Sequence, residues 1–257
     1  MQRGGPVRIE RAEQLYRRAV AIREKSETSA PANPPEKTDA PGSDASSSVD
    51  LARTLTGLGE ALRREHKLED AQPVLERAVD LWTKAFPGGH PDLAGLLIQL
   101  AQLQTQLERF DAAEATLRRA LLADEANFGA EHPDAARDHA ALGVLYTRQK
   151  KFTEADTEFR QALKIQTEAL GAEHPETAVT ASQWGLLYSA REKYREAASY
   201  FKRALKIFDA LPASMQGSYQ EALMETLSAY AEALRKLGKP DEAEKLEKRL
   251  TALNGPK

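Results

Sequence analysis

The dipeptide His-Pro stands at His90-Pro91, His132-Pro133 and His174-Pro175, each occurrence 42 residues after the last. A fixed period of that length restricts the chain to a stack of like units, each packed on its neighbours. The stretches that begin at His132 and His174 superpose without a gap. In the first of them Leu142, Gly143 and Tyr146 recur at helical spacing, followed by Ala155, Phe159, Ala162 and Leu163. That is the 3.6-residue period of two amphipathic helices joined by a short polar turn. The pattern predicts helix pairs at 49–64 and 68–86, 91–107 and 111–127, 133–149 and 153–169, and 175–191 and 195–210. A fifth pair, 217–237 and 240–253, is displaced by four residues and introduced by the breaker Leu211-Pro212. Its Glu247 stands where earlier units carry Leu75, Leu117, Phe159 and Phe201, which suggests a solvent-facing cap.

The His-Pro mark reads first as a turn device. Gly129 and Gly171 sit where a helix stops, and proline at the next helix start needs no N–H donor there. Asp92, Asp134 and Glu176 complement the positive ends of the following helix dipoles.

Ahead of the repeats, residues 1–25 carry one amphipathic helix, whose segment 11–22 aligns with the second helix of a unit. Its first helix is missing, so either the chain is a fragment or a half-repeat is all there is. Residues 26–48 are rich in Ser, Ala and Pro and are expected to be a disordered linker, followed by an array over 49–253 and a tail over 254–257. The N-terminal helix, with seven basic and three acidic residues over 1–25, is expected to pack as the missing half-repeat. Otherwise it self-associates with another copy or lies in its own groove as an autoinhibitor.

The spacing Leu142-Gly143, Tyr146, Phe152, Ala155, Phe159, Ala162 resembles the tetratricopeptide repeat. It recurs with Leu58-Gly59, Ala71, Leu75 and Ala78; with Ala113, Leu117 and Ala120; and with Trp184-Gly185, Tyr188, Ala197, Phe201 and Ala204. The 42-residue unit is similar to the longer variety found in kinesin light chains. The resemblance implies an all-α fold, an α-solenoid with a right-handed superhelix of antiparallel helix pairs. It also implies a non-catalytic protein–protein interaction scaffold that binds a partner peptide or helix in a concave groove. The alternative is a targeting or regulatory module, or a fragment of a larger enzyme or secretion-related protein.

Composition agrees with a binding role. No apolar run is long enough to span a membrane, and the near-neutral charge of −3 gives no reason to expect nucleic acid. With no cysteine, thiolate metal sites and thiol nucleophiles are excluded. The start lacks a secretory h-region, from which a cytoplasmic location is expected. Equivalent histidines of successive units are separated by the thickness of a helix pair, too far to share a metal ion. His132 and His139, with Asp134 and Asp138, are expected to be ordinary solvated side chains. Gly57-Leu58-Gly59 lacks the strand and third glycine of a dinucleotide loop. Neither a catalytic constellation nor a metal or cofactor site is expected.

In the family that the chain resembles, the first helix of each pair lines the groove. Carried over by alignment, the partner-binding positions are Arg53, Glu60, Arg63, Arg64, Ile98, Gln102, Arg137, Val144, Arg148, Ser182 and Leu186, continued in the last pair by Glu225, Ser228, Glu232, Arg235 and Lys236. The groove so drawn has a basic end at Arg53, Arg63, Arg64, Arg137 and Arg148 and an apolar middle at Ile98, Val144, Val179 and Leu186. It is expected to prefer a peptide with acidic and apolar side chains. The asparagines that many 42-residue members place on this face are absent, which puts a backbone clamp of the kinesin-light-chain kind in doubt.

Overall fold

The protein is described from a computed structural model over residues 5–28, 43–86 and 90–255. Helix is the regular element of these residues: α1 (Gly5–Thr28), α2 (Ser43–Arg64), α3 (Leu68–Ala85), α4 (Pro91–Gln106), α5 (Phe110–Phe128) and α6 (Pro133–Arg148). They are followed by α7 (Phe152–Ala169), α8 (Pro175–Ala190), α9 (Tyr194–Asp209), α10 (Ala213–Gln216), α11 (Gln220–Lys236) and α12 (Pro240–Asn254). The five expected pairs fall on α2/α3, α4/α5, α6/α7, α8/α9 and α11/α12. The four-residue displacement of the last pair is taken up by α10, a single turn after Pro212. Helix also enters both ends of the stretch 26–48, to Thr28 and from Ser43; its middle, 29–42, lies outside the described residues. The chain divides into two compact units, Met1–Asn127 and Phe128–Lys257.

Each pair turns in the same way. His66, Glu108, Lys150 and Glu192, one period apart, and Gly238 in the displaced pair all have positive φ, between 57° and 73°. The residue after each returns its N–H to the first helix, Lys151 to the Tyr146 carbonyl at 2.9 Å and Lys193 to the Tyr188 carbonyl at 2.9 Å. This is the left-handed helix end that glycine fills most readily; here four ordinary side chains adopt it.

Successive pairs are joined by histidine caps. The Nδ1 of His90, His132 and His174 accepts the backbone N–H of Asp92, Asp134 and Glu176 at 3.1, 3.2 and 3.2 Å. One of the four orphan donors of α4, α6 and α8 is thereby satisfied. The repeated dipeptide is thus a cap as well as a turn, histidine filling the role that Ser, Thr, Asp or Asn usually takes.

In the first unit α1 has the neighbours of a second helix. Lys67 meets Glu13 at 2.7 Å and Arg77 meets Glu24 at 2.6 Å. One repeat on, Arg109 bonds to Gln72 and Arg119 meets Thr83 at 2.6 Å. The Tyr16 ring lies against Gly57, where a Cβ would come within 2.5 Å of it. Leu51, Leu62, Leu75 and Leu97 form the core behind.

In the second unit Phe159 and Phe201, both fully buried, pack where Gly143 and Gly185 bring paired helices together. A Cβ at those glycines would lie 2.8 and 2.6 Å from the rings. A polar node ties α7 to α8. Asp156 accepts from the Trp184 indole at 3.0 Å, from the Tyr188 hydroxyl at 3.3 Å and from Arg160 at 2.8 Å. Burial raises the affinity of Asp156 for a proton, but these donors outweigh it and leave the carboxyl below its ordinary value.

Candidate functional site

The expected groove positions lie on the first helices α2 and α4 of one unit, and α6, α8 and α11 of the other. In the first unit the expected basic end is corrected. Arg63 makes two bonds to the Glu60 carboxylate, at 2.9 and 3.0 Å, and Arg64 a third at 2.7 Å. Burial acts to raise Glu60, yet the two guanidinium groups hold it below its ordinary value. Arg53 lies 3.6 Å from Asp92 and 4.0 Å from Asp50, with its guanidinium 5.6 Å from the Trp82 ring centre. Ile98 is half-buried and packs on the core, and Gln102 is exposed. Three of the arginines counted as a positive pole are therefore already matched by carboxylates.

In the second unit Arg137 is bonded to Asp134, Val144 is half-buried, and Arg148 is exposed. Ser182 is a further correction to the expected partner face. It is 7% exposed, and its hydroxyl is bonded to Thr226 at 2.7 Å, so it joins α8 to α11 and is taken up in packing. His139 and Asp138 are not the solvated side chains expected. His139 Nδ1 lies 2.6 Å from Glu158, and Asp138 is fully buried. Glu247 pairs with Arg235 of α11 at 2.7 Å.

Leu186 behaves otherwise. It is a large apolar side chain on a first helix, 42% exposed, at the mouth of a cavity of about 230 Å³. The rest of the lining is Ser189 and Ala190 of α8, Tyr194 of α9, and Ala229, Glu232 and Ala233 of α11. Small side chains at Ala190, Ala229 and Ala233 share this lining with Tyr194 and with the polar groups of Ser189 and Glu232, so the cavity offers both apolar surface and a carboxylate to a ligand.

The repeat geometry and the sequence agree on what this chain is. The tetratricopeptide repeat model matches three overlapping stretches, 50–126, 94–168 and 138–210, more than half of the chain. The chain belongs to the tetratricopeptide repeat family. No curated protein sequence matches it. Among solved structures it is similar to BtubC (BKLC) from P. vanneervenii, at 19% identity and a TM-score of 0.69, covering 96% of this chain and 91% of that one. It is also similar to a putative kinesin light chain of Podosopora anserina with nearly identical repeats, at 20% identity and a TM-score of 0.58, covering 80% and 96%. NprR in complex with its cognate peptide NprX matches at 16% identity and a TM-score of 0.61, covering 97% of this chain and 68% of that one. At these identities the likeness is one of fold.

Within that family frame, the sequence located Leu186 and Glu232 of the lining, but not Tyr194, Ala229 and Ala233 beside them. Tyr194 comes from α9 and Ala229 and Ala233 from α11, and the two alanines carry no motif. The available signal was the coincidence of small residues at Ala190, Ala229 and Ala233. No described helix is long and apolar enough to cross a membrane.

Proposed function

We propose that the chain is a non-catalytic interaction module that holds a segment of another protein against the first helices α6, α8 and α11. The observation that carries the reading is Leu186, held in the open beside a cavity of about 230 Å³ that its own chain leaves unfilled. Burying an apolar side chain there gains about 25 cal/mol per Å² removed from water. That NprR, of similar fold, has been solved with a cognate peptide supports the same use of the fold here. In this reading α1 serves as a half-repeat that shields α2 and α3.

A photo-crosslinking residue placed at position 186 in the full chain tests the reading in the cells that make the protein. Discrete protein adducts from position 186, and none from the exposed position of Lys202 on α9, are expected. Adducts from 202 alone, or the same adducts from both, would move the working surface off the first helices.

A further inference from the structure

On the first-helix face of the second unit Arg148 of α6 and Lys236 of α11 are exposed, and two further carboxylates stand on α11. Arg137 on α6 is spoken for by Asp134, and Arg235 on α11 by both oxygens of Glu247 at 2.8 and 2.7 Å. Val179 and Leu186 make the middle, on α8, apolar. The far wall, α11, carries Glu225 and Glu232 on one face, two turns apart, which is about 10.5 Å along the axis. Glu232 lines the cavity itself. Among the described residues neither glutamate takes part in an ion pair. Lys236, exposed at the C-terminal end of α11, lies where the negative end of the helix dipole already favours a cation. Desolvation first, and then the neighbouring Glu221, raise the Glu225 carboxyl above its ordinary value. A carboxylate in that position is stabilised by an incoming cation more than a freely solvated one is.

Resting on the function proposed above, we infer that the partner segment presents a large apolar side chain to the Leu186 cavity and, beside it, a lysine or arginine to Glu232 and Glu225. The apolar anchor supplies burial, and the basic flank fixes which way round the segment lies. A basic residue pairs with these carboxylates, whereas an acidic one meets like charge at short range, so the wall discriminates as well as attracts. Of the expected basic pole, Arg63 and Arg64 are matched by Glu60 and Arg137 by Asp134, while Arg148 on α6 is exposed.

Selection of a displayed random-peptide library on the immobilised full chain tests this. The expected winners pair Leu, Met or Phe with neighbouring Lys or Arg. The same peptides should bind on the order of tenfold more weakly to the variant Glu225→Lys/Glu232→Lys, which corresponds to about 1.4 kcal/mol, and that variant should select acidic flanks instead. Both glutamates are exposed, so the double variant is expected to fold, and its circular dichroism melt checks it. Winners with acidic flanks that are lost on Leu186→Glu would overturn the charge assignment while leaving the binding face intact. Basic-flanked winners that still bind Leu186→Glu would overturn the face itself. Recovery of no peptide above background overturns both.

Discussion

The Lys67 ammonium lies 2.7 Å from the Glu13 carboxylate, joining the start of α3 to α1. Glu13 is nearly buried, and Lys67, Glu65 and Arg17 together bring it from an ordinary 4.5 down to about 2. A carboxyl depressed in the folded state contributes stability that is complete above its ordinary value and is lost as pH falls towards about 2. The seat of α1 should therefore loosen between roughly pH 4.5 and 2. Glu13→Gln should reproduce the loosening at neutral pH, at a cost of about 1–2 kcal/mol. Amide hydrogen exchange over α1 reads both; protection that is indifferent to pH and to the variant would mean that the pair does not anchor the helix.

The close approach of paired helices sets the next expectation. Gly185→Val puts atoms 2.6 Å or closer to the Phe201 ring, and Phe201 has no free space to retreat into. A loss of about 1–3 kcal/mol is expected. Gly95→Ala in α4, where a Cβ meets nothing within 4 Å, should instead gain about 1 kcal/mol of helix propensity. Thermal melts of the two variants should move in opposite directions, and a shared sign would contradict the packing.

Ordinary side chains pay a steric cost at the left-handed turn positions. Lys150→Gly and Glu192→Gly, at φ of 59° and 57°, should each stabilise by about 1 kcal/mol. The two turns are a full repeat apart, so the gains should add. Denaturant midpoints that fall in either variant would show that the lost side chain mattered more than the backbone.

The histidine caps are tested at His174. His174→Ala removes the acceptor for the Glu176 N–H and should cost about 1 kcal/mol. His174→Asp keeps an acceptor and adds a charge favoured at the helix N-terminus, so it should restore most of that stability. Equal melting temperatures for the two variants would remove the cap from the account.

The fold was legible because packing positions repeat. Small residues at Gly143 and Gly185 and the phenylalanines they admit recur at one period, and helix boundaries follow from them. The caps were half legible: proline and the acids announced the helix start, but imidazole as acceptor lies outside the usual cap residues. The left-handed turns gave no signal at His66, Glu108, Lys150 or Glu192, since only Gly238 has the residue that the conformation favours. The Glu60 pairs stood in the sequence at i, i+3 and i, i+4; counting arginines alone concealed them. Ser182 shares a helix face with Leu186, and only the position of Thr226 on α11 shows which of the two is covered. The cavity depends on alanines from separate helices, which periodicity along one helix does not register.

The most direct test of the binding face is a titration of the full chain and its Leu186→Glu variant with the strongest peptide from the displayed library, with a melt of each protein alongside. Leu186 is largely outside the core, so the expected result is an unchanged melt with binding weakened by on the order of a hundredfold, about 2.7 kcal/mol. An unchanged melt with unchanged affinity would contradict the assignment of this face as the partner's seat.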